Sequence, residues 1–199
     1  MMAYVASVST NINVEKFAKK ILKNEPKIIK KYPAKTINLK EDFDGATGLG
    51  FNSLTSRSCH FNVLNWWGTG SLRKWIRRGY ENFNNIKGQP LYVQCWANVM
   101  RKGEQIVPHK HASRDGVSPI KYLCGNLCIQ VDSSTSTYYN GMPLLNKPGQ
   151  MTFFSAQTFH WTDRYEKGSE RITIAFDIYS EEVYSDCILD EFKYHWVKI

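Results

Sequence analysis

No apolar run in this chain approaches the roughly 20 residues that span a bilayer, which argues against a membrane-spanning helix. Cysteine is scarce and odd in number. Cys59, Cys95, Cys124, Cys128 and Cys187 contain no CxxC pair, so neither a disulfide framework nor a cysteine-built zinc site is expected. Cys124 and Cys128 share one parity of an apolar segment, where cysteine packs as a small hydrophobe. The first ten residues have neither a basic segment nor a sustained apolar one, so no secretory signal is read and the reducing cytoplasm is the expected location. Internal repeats, low-complexity tracts and an inter-domain linker are also missing. Arginine is absent from residues 1–40, which hold nine lysines against Glu15 and Glu25. Those lysines alternate with apolar residues at helical spacing, the pattern of solvated helix faces. A nucleic acid or acidic partner for this basic region is therefore not favoured.

What is present fits a packed globular chain: 199 residues, 42% apolar and 14% aromatic, enough for one domain with a sizeable core. We read residues 1–89 as a helical support region, 90–180 as a β core and 181–199 as a C-terminal extension. A short strand is expected before Thr10. Val14, Phe17, Ala18, Ile21 and Leu22 then make one helical stripe, capped by Asn11 or Asn13. Pro26 and Pro33 bracket a second short turn, and 34–58 reads as loop. Ser71 caps a helix with Leu72, Trp75, Ile76, Tyr80 and Phe83 on one side, closed by Gly88 and Pro90.

The period changes at Leu91. Leu91 to Met100 alternates as an extended strand, and short strands are expected at 105–111, 117–124, 126–132, 135–139, 150–155, 158–163 and 170–179. Breaks fall at Arg101-Lys102-Gly103, Gly125-Asn126, Asn140-Gly141, Pro148-Gly149 and Glu166-Lys167-Gly168. Strands at this pace indicate a mainly β, jelly-roll-like sandwich or barrel with the N-terminal helices packed on one sheet. The acidic, partly apolar stretch 180–199 reads as a closing helix.

Three of the five histidines fall in two of these segments. On 105–111 a period of two puts Gln105, Val107, His109 and His111 on one face. Neutral imidazole is a common ligand for iron, copper and zinc, so His109 and His111 form a candidate metal pair. A third ligand must come from a strand distant in sequence, and His160 lies 51 residues beyond His109. Arg171 begins a strongly apolar strand, where an arginine is expensive to bury without an anion. A carboxylate-bearing cosubstrate would supply that anion, with Thr173 on the same face. His60 and His195 read as surface or packing residues.

Trp96-Ala-Asn98, Gly103, Pro108-His-Lys-His111, Gly125-Asn-Leu127, Phe153-Phe154, His160 and Arg171-Ile-Thr-Ile-Ala-Phe-Asp177 occur in one order and spacing. In these pieces the chain resembles the 2-oxoglutarate/Fe(II)-dependent oxygenases of the double-stranded β-helix fold, over roughly residues 90–180. The resemblance implies Fe(II) on His109 and His160 and 2-oxoglutarate on Arg171. It also implies dioxygen, oxidative decarboxylation to succinate and CO2, and hydroxylation of a substrate the sequence does not identify. Tyr122 would hydrogen-bond the cosubstrate, and Asn98 would orient a ligand or substrate. The carboxylate that these enzymes place two residues after the first histidine is replaced here by His111. The third ligand is therefore His111 itself, Asp115, or a water or anion.

Two other readings compete. Gly103, His109, His111 and Asp115 match most of a first cupin motif, but the second motif fails around His160 and Arg171 would have no purpose. A non-catalytic binding or structural jelly roll would leave the histidines incidental.

Overall fold

A computed structural model describes residues 5–34, 48–111, 121–187 and 195–199. Among the described residues, nine strands form two antiparallel sheets. The larger holds β1 (Val5–Ser9), β6 (Gln150–Ser155), β3 (Tyr122–Gln130), β8 (Arg171–Ser180), β2 (Leu91–Met100) and β9 (Val197–Lys198), side by side in that order. The smaller runs β5 (Met142–Leu145), β4 (Ser136–Tyr139), β7 (His160–Thr162). No helix among the described residues is long and apolar enough to cross a membrane.

The alternation in β8 shows how the layers arise. Ile172, Ile174, Phe176 and Ile178 join the core that the larger sheet shares with α1 (Val14–Lys31) and α2 (Gly70–Asn84). Arg171, Thr173 and Ala175, on the other parity, line a cavity that also takes Thr137 and Tyr139 from β4 and His160 from β7. The helices thus cover the outer face of the larger sheet, and the cavity lies between the two sheets. This is the expected jelly-roll architecture with helices packed on one sheet.

Several elements differ from the sequence expectation. Pro26 does not end the first helix, which runs unbroken to Lys31. A proline at this position forfeits one backbone hydrogen bond. Its neighbours compensate, since Ile28 is buried and Glu25 takes a two-point ion pair from Arg101 at 2.7 and 3.0 Å. Asn13 is the N-cap, its Oδ1 accepting from Lys16 N at 2.9 Å. The second helix starts at Gly70 after Thr69, not at Ser71, and ends at Asn84, where Asn85 adopts the left-handed cap. Within the expected loop 34–58, Thr55–His60 begins a 3₁₀ helix. The closing helix, α3, covers Glu181–Cys187.

Gly125-Asn126 is not a break. Strand β3 passes straight through it, because Gly125 serves packing there. It pairs with Phe153 on one side and Phe176 on the other, and these two rings lie 5.6 Å apart. A Cβ on Gly125 would meet the Phe176 ring at 2.1 Å. By contrast, Asn140-Gly141 is a turn, with φ of 47° and 88°, and it starts the unexpected strand β5. Residues 105–111 are not a regular strand either. They contribute one isolated bridge, His109 opposite His160.

Candidate metal centre

That bridge is what assembles the site. His109 N donates to His160 O at 3.2 Å and His160 N donates to His109 O at 2.9 Å, so the two residues face each other as a hydrogen-bonded pair. On its other side His160 pairs with Tyr139 of β4. His111 N donates to Ala156 O at 3.0 Å, holding the segment's end beside β6. The rings of His109 and His160 lie 4.2 Å apart, and His111 lies 5.4 Å from the first and 5.1 Å from the second. One ring nitrogen from each falls within 4.8 Å of the others, close enough to hold one ion.

The tautomers follow from what meets each Nδ1. His109 Nδ1 lies 2.9 Å from Val107 O and His160 Nδ1 lies 3.1 Å from Thr158 O. A carbonyl only accepts, so both rings carry the proton on Nδ1 and keep a lone pair on Nε2. His111 Nδ1 donates to Asp177 Oδ1 at 2.6 Å. All three imidazoles therefore have Nδ1 engaged and Nε2 available. Such outer hydrogen bonds are what orient histidine ligands.

Burial pushes the His109 pKa down to about 4, helped by the neighbouring His111. Burial also takes His160 well below its ordinary value, with His111 and His109 adding to the effect. Burial opposes charge on His111 too, but the Asp177 carboxylate overrides it and the pKa is raised. These shifts set the pH response of the metal-free protein. His109 and His160 take up protons in the unfolded chain as the pH falls through about 6.5, but not in the fold, so acid favours unfolding through them. His111 acts oppositely: its contribution is full below its ordinary pKa and is lost as pH rises through the raised one. Below about 6.5 the His111 contribution no longer changes while those of His109 and His160 keep falling, so the urea midpoint of metal-free protein should drop between about pH 6.5 and pH 5. A midpoint that rises over that window would contradict the arrangement.

Arg171 is buried, 3% exposed, where β8 begins beside the cavity. Its Nη2 donates to Thr137 Oγ1 at 3.0 Å, and Thr137 in turn donates to Asn146 Oδ1 at 2.9 Å. Among the described residues no acceptor meets its Nε. Burial lowers its pKa, which is the signature of a cation without a counter-charge. Trp96, Ile106 and Phe154 supply apolar wall to the cavity.

The remaining expected site residues fall in different places. Thr173 lines the cavity and its Oγ1 accepts from Asn98 Nδ2 at 3.4 Å. Asn98 also lines it, with Oδ1 accepting from Thr55 Oγ1 at 2.6 Å. Tyr122 is not among the residues lining the cavity; its hydroxyl donates to Asp177 Oδ2 at 3.1 Å, so its partner is a protein carboxylate. Asp115 lies outside the described residues. His60 stacks on Tyr32 at 5.7 Å and meets His195 edge-on at 6.2 Å, a group separate from the three-histidine set.

The sequence assigns no role to Thr137, nor to Asp177 and Trp96 within their motifs, yet the Trp96 ring stacks 5.9 Å from His111. Asp177 was the most accessible of these. It shares the parity of Arg171 and Thr173, which makes it a carboxylate on the inner row of an otherwise apolar strand.

No protein-family model and no curated protein matches this chain. Solved structures do. The viral collagen prolyl hydroxylase of Paramecium bursaria Chlorella virus-1, in its 2-oxoglutarate complex, aligns over 89% of this chain and 96% of its own, at 12% identity with a TM-score of 0.61. AviO1 from Streptomyces viridochromogenes Tue57 aligns over 90% of both chains, at 10% identity and a TM-score of 0.60. The epimerase SnoN of nogalamycin biosynthesis, solved with Fe3+, α-ketoglutarate and nogalamycin RO, aligns over 88% of this chain and 78% of its own, at 11% identity and a TM-score of 0.56. The fold is therefore the double-stranded β-helix of the 2-oxoglutarate oxygenase structures. Identities this low carry the likeness no further than the fold.

Proposed function

We propose that this protein is a 2-oxoglutarate- and Fe(II)-dependent dioxygenase that hydroxylates a substrate with release of succinate and CO2. One observation carries the reading. The cavity lined by three histidines, with one ring nitrogen of each within 4.8 Å of the others, is also lined by a buried arginine whose Nε lacks an acceptor among the described residues. A metal alone would explain the histidines. A ligand that both meets a metal and ends in a carboxylate explains the arginine as well. The complexes of the viral hydroxylase with 2-oxoglutarate and of SnoN with Fe3+ and α-ketoglutarate support the same choice.

In this reading His109, His111 and His160 hold Fe(II) through Nε2. Arg171 pairs with the far carboxylate of 2-oxoglutarate, and Thr137 keeps the guanidinium turned toward it. The Thr173 hydroxyl adds a polar contact on the same row, and Asn98 holds that threonine in place. Trp96, Ile106 and Phe154 keep bulk water from the centre. When bound, the iron and its cosubstrate supply the oxidising power, and the protein contributes positioning and a dry surround.

The test is anaerobic titration of Fe(II)-loaded protein with 2-oxoglutarate, followed by the visible charge-transfer band of the complex. Arg171→Met should keep metal binding and lose 2-oxoglutarate affinity by at least about 30-fold, the low end for removing one partner of a buried charge pair. Protein that binds metal and ignores 2-oxoglutarate would point to cupin-like chemistry. Protein that binds neither would be a non-catalytic jelly roll.

A further inference from the structure

Asp177 is the one carboxylate in contact with the metal-binding histidines among the described residues, and it does not face the centre directly. Its Oδ1 accepts from His111 Nδ1 at 2.6 Å and its Oδ2 from the Tyr122 hydroxyl at 3.1 Å. The grouping that brings a ligand atom of Asp177 close to others contains His111 and Cys124, not His109 or His160. Cys124 does not make this a second metal site. Burial first, and then Asp177, push its thiol well above the ordinary range, so it stays a protonated donor and not a thiolate.

We propose that Asp177 is a positioning residue that delivers to the metal, through the His111 imidazole, the negative charge that a carboxylate ligand would deliver directly. The proposal rests on the three-histidine reading of the metal site. Val107 O and Thr158 O, the acceptors behind His109 and His160, are neutral carbonyls. Only His111 is backed by a carboxylate. A carboxylate accepting the Nδ1 proton makes the far nitrogen a stronger electron donor and fixes the ring's tautomer. The Trp96 and His109 rings both stack against His111, 5.9 and 5.4 Å from it, and restrain its orientation. The three ligands are therefore unequal, and a site without a carboxylate ligand still has one carboxylate's charge coupled to it.

The measurement is binding of Co(II) alone to metal-free protein, by calorimetry and by the visible bands of the bound ion, together with the His111 Nδ1 proton resonance in Zn(II)-loaded protein. Asp177→Asn keeps one oxygen that can accept from Nδ1 and removes the charge, with an amide nitrogen in place of the oxygen that Tyr122 meets. It should weaken Co(II) binding by about 10–100-fold, the range for outer-shell partners of metal ligands. It should also move the His111 Nδ1 proton upfield, which a purely structural role would not do. Tyr122→Phe leaves Asp177 and every ligand in place. Because the carboxylate then has one donor fewer, the same proton should move downfield. If Asp177→Asn binds Co(II) as the wild type does while His160→Ala does not, the proposal fails and the metal site stands. An unmoved resonance in Tyr122→Phe would also overturn it, and serves if the asparagine variant does not fold. If wild type and His160→Ala alike bind no metal, both the proposal and the site reading fall.

Discussion

Replacing His160 with alanine should abolish metal binding, and with it the charge-transfer band of the Fe(II) and 2-oxoglutarate complex. His160 is the residue through which the site is assembled. In the proposed site it supplies an Nε2, and its backbone bridges to His109, 51 residues earlier in the chain. The substitution spares that bridge, since both of its hydrogen bonds are between backbone atoms. It removes one of three nitrogens and leaves two imidazoles from one short segment. The loss should exceed the roughly 10–100-fold that outer-shell substitutions cost. Metal content after dialysis against Fe(II) under argon is the readout. Retention of one tightly bound ion by His160→Ala would remove this residue from the site and require a different ligand set.

The largest effect on stability is expected at Gly125. An added Cβ would lie 2.1 Å from Cε2 of Phe176 and 2.5 Å from the Thr152 carbonyl oxygen. The ring can turn only against Phe153, 5.6 Å away, and the carbonyl belongs to the neighbouring strand. Phe153 is itself pinned, because a Cβ on Gly79 of α2 would meet its ring at 1.9 Å. Overpacking without room to relax costs about 1–3 kcal/mol, and Gly125→Ala should reach the upper end. At roughly 2–4 °C per kcal/mol for a chain of this size, the Tm should drop by about 5–10 °C. An unchanged Tm would mean that the sheet and α2 separate more easily than this packing suggests.

Gly125 also shows where sequence reading stops. Glycine signals a turn as readily as a tight contact, and nothing local separates the two cases. Here the deciding groups are Phe153 and Phe176, 28 and 51 residues away. Pro26 misleads for a similar reason, because Glu25 and Ile28 hold the helix through tertiary partners. Tyr122 is expected beside the cosubstrate, but its hydroxyl donates to Asp177, whose position beside it depends on strand register.

The residues alone carried the strand alternation of β2 and β8, the amphipathic helices and hence the layered architecture. These depend on periods of 2 and 3.6 residues, which a chain expresses locally. The spacing of His109, His160 and Arg171 was equally legible as a candidate constellation. Only the tertiary structure decided that 105–111 runs beside β7 without forming a regular strand, that one ring nitrogen of His111 comes within 4.8 Å of one on each of the other two histidines, and that Asp177 stands behind it. Each of these is a hydrogen bond or packing contact between residues far apart in the chain, and such contacts come into existence only when the sheets close on each other.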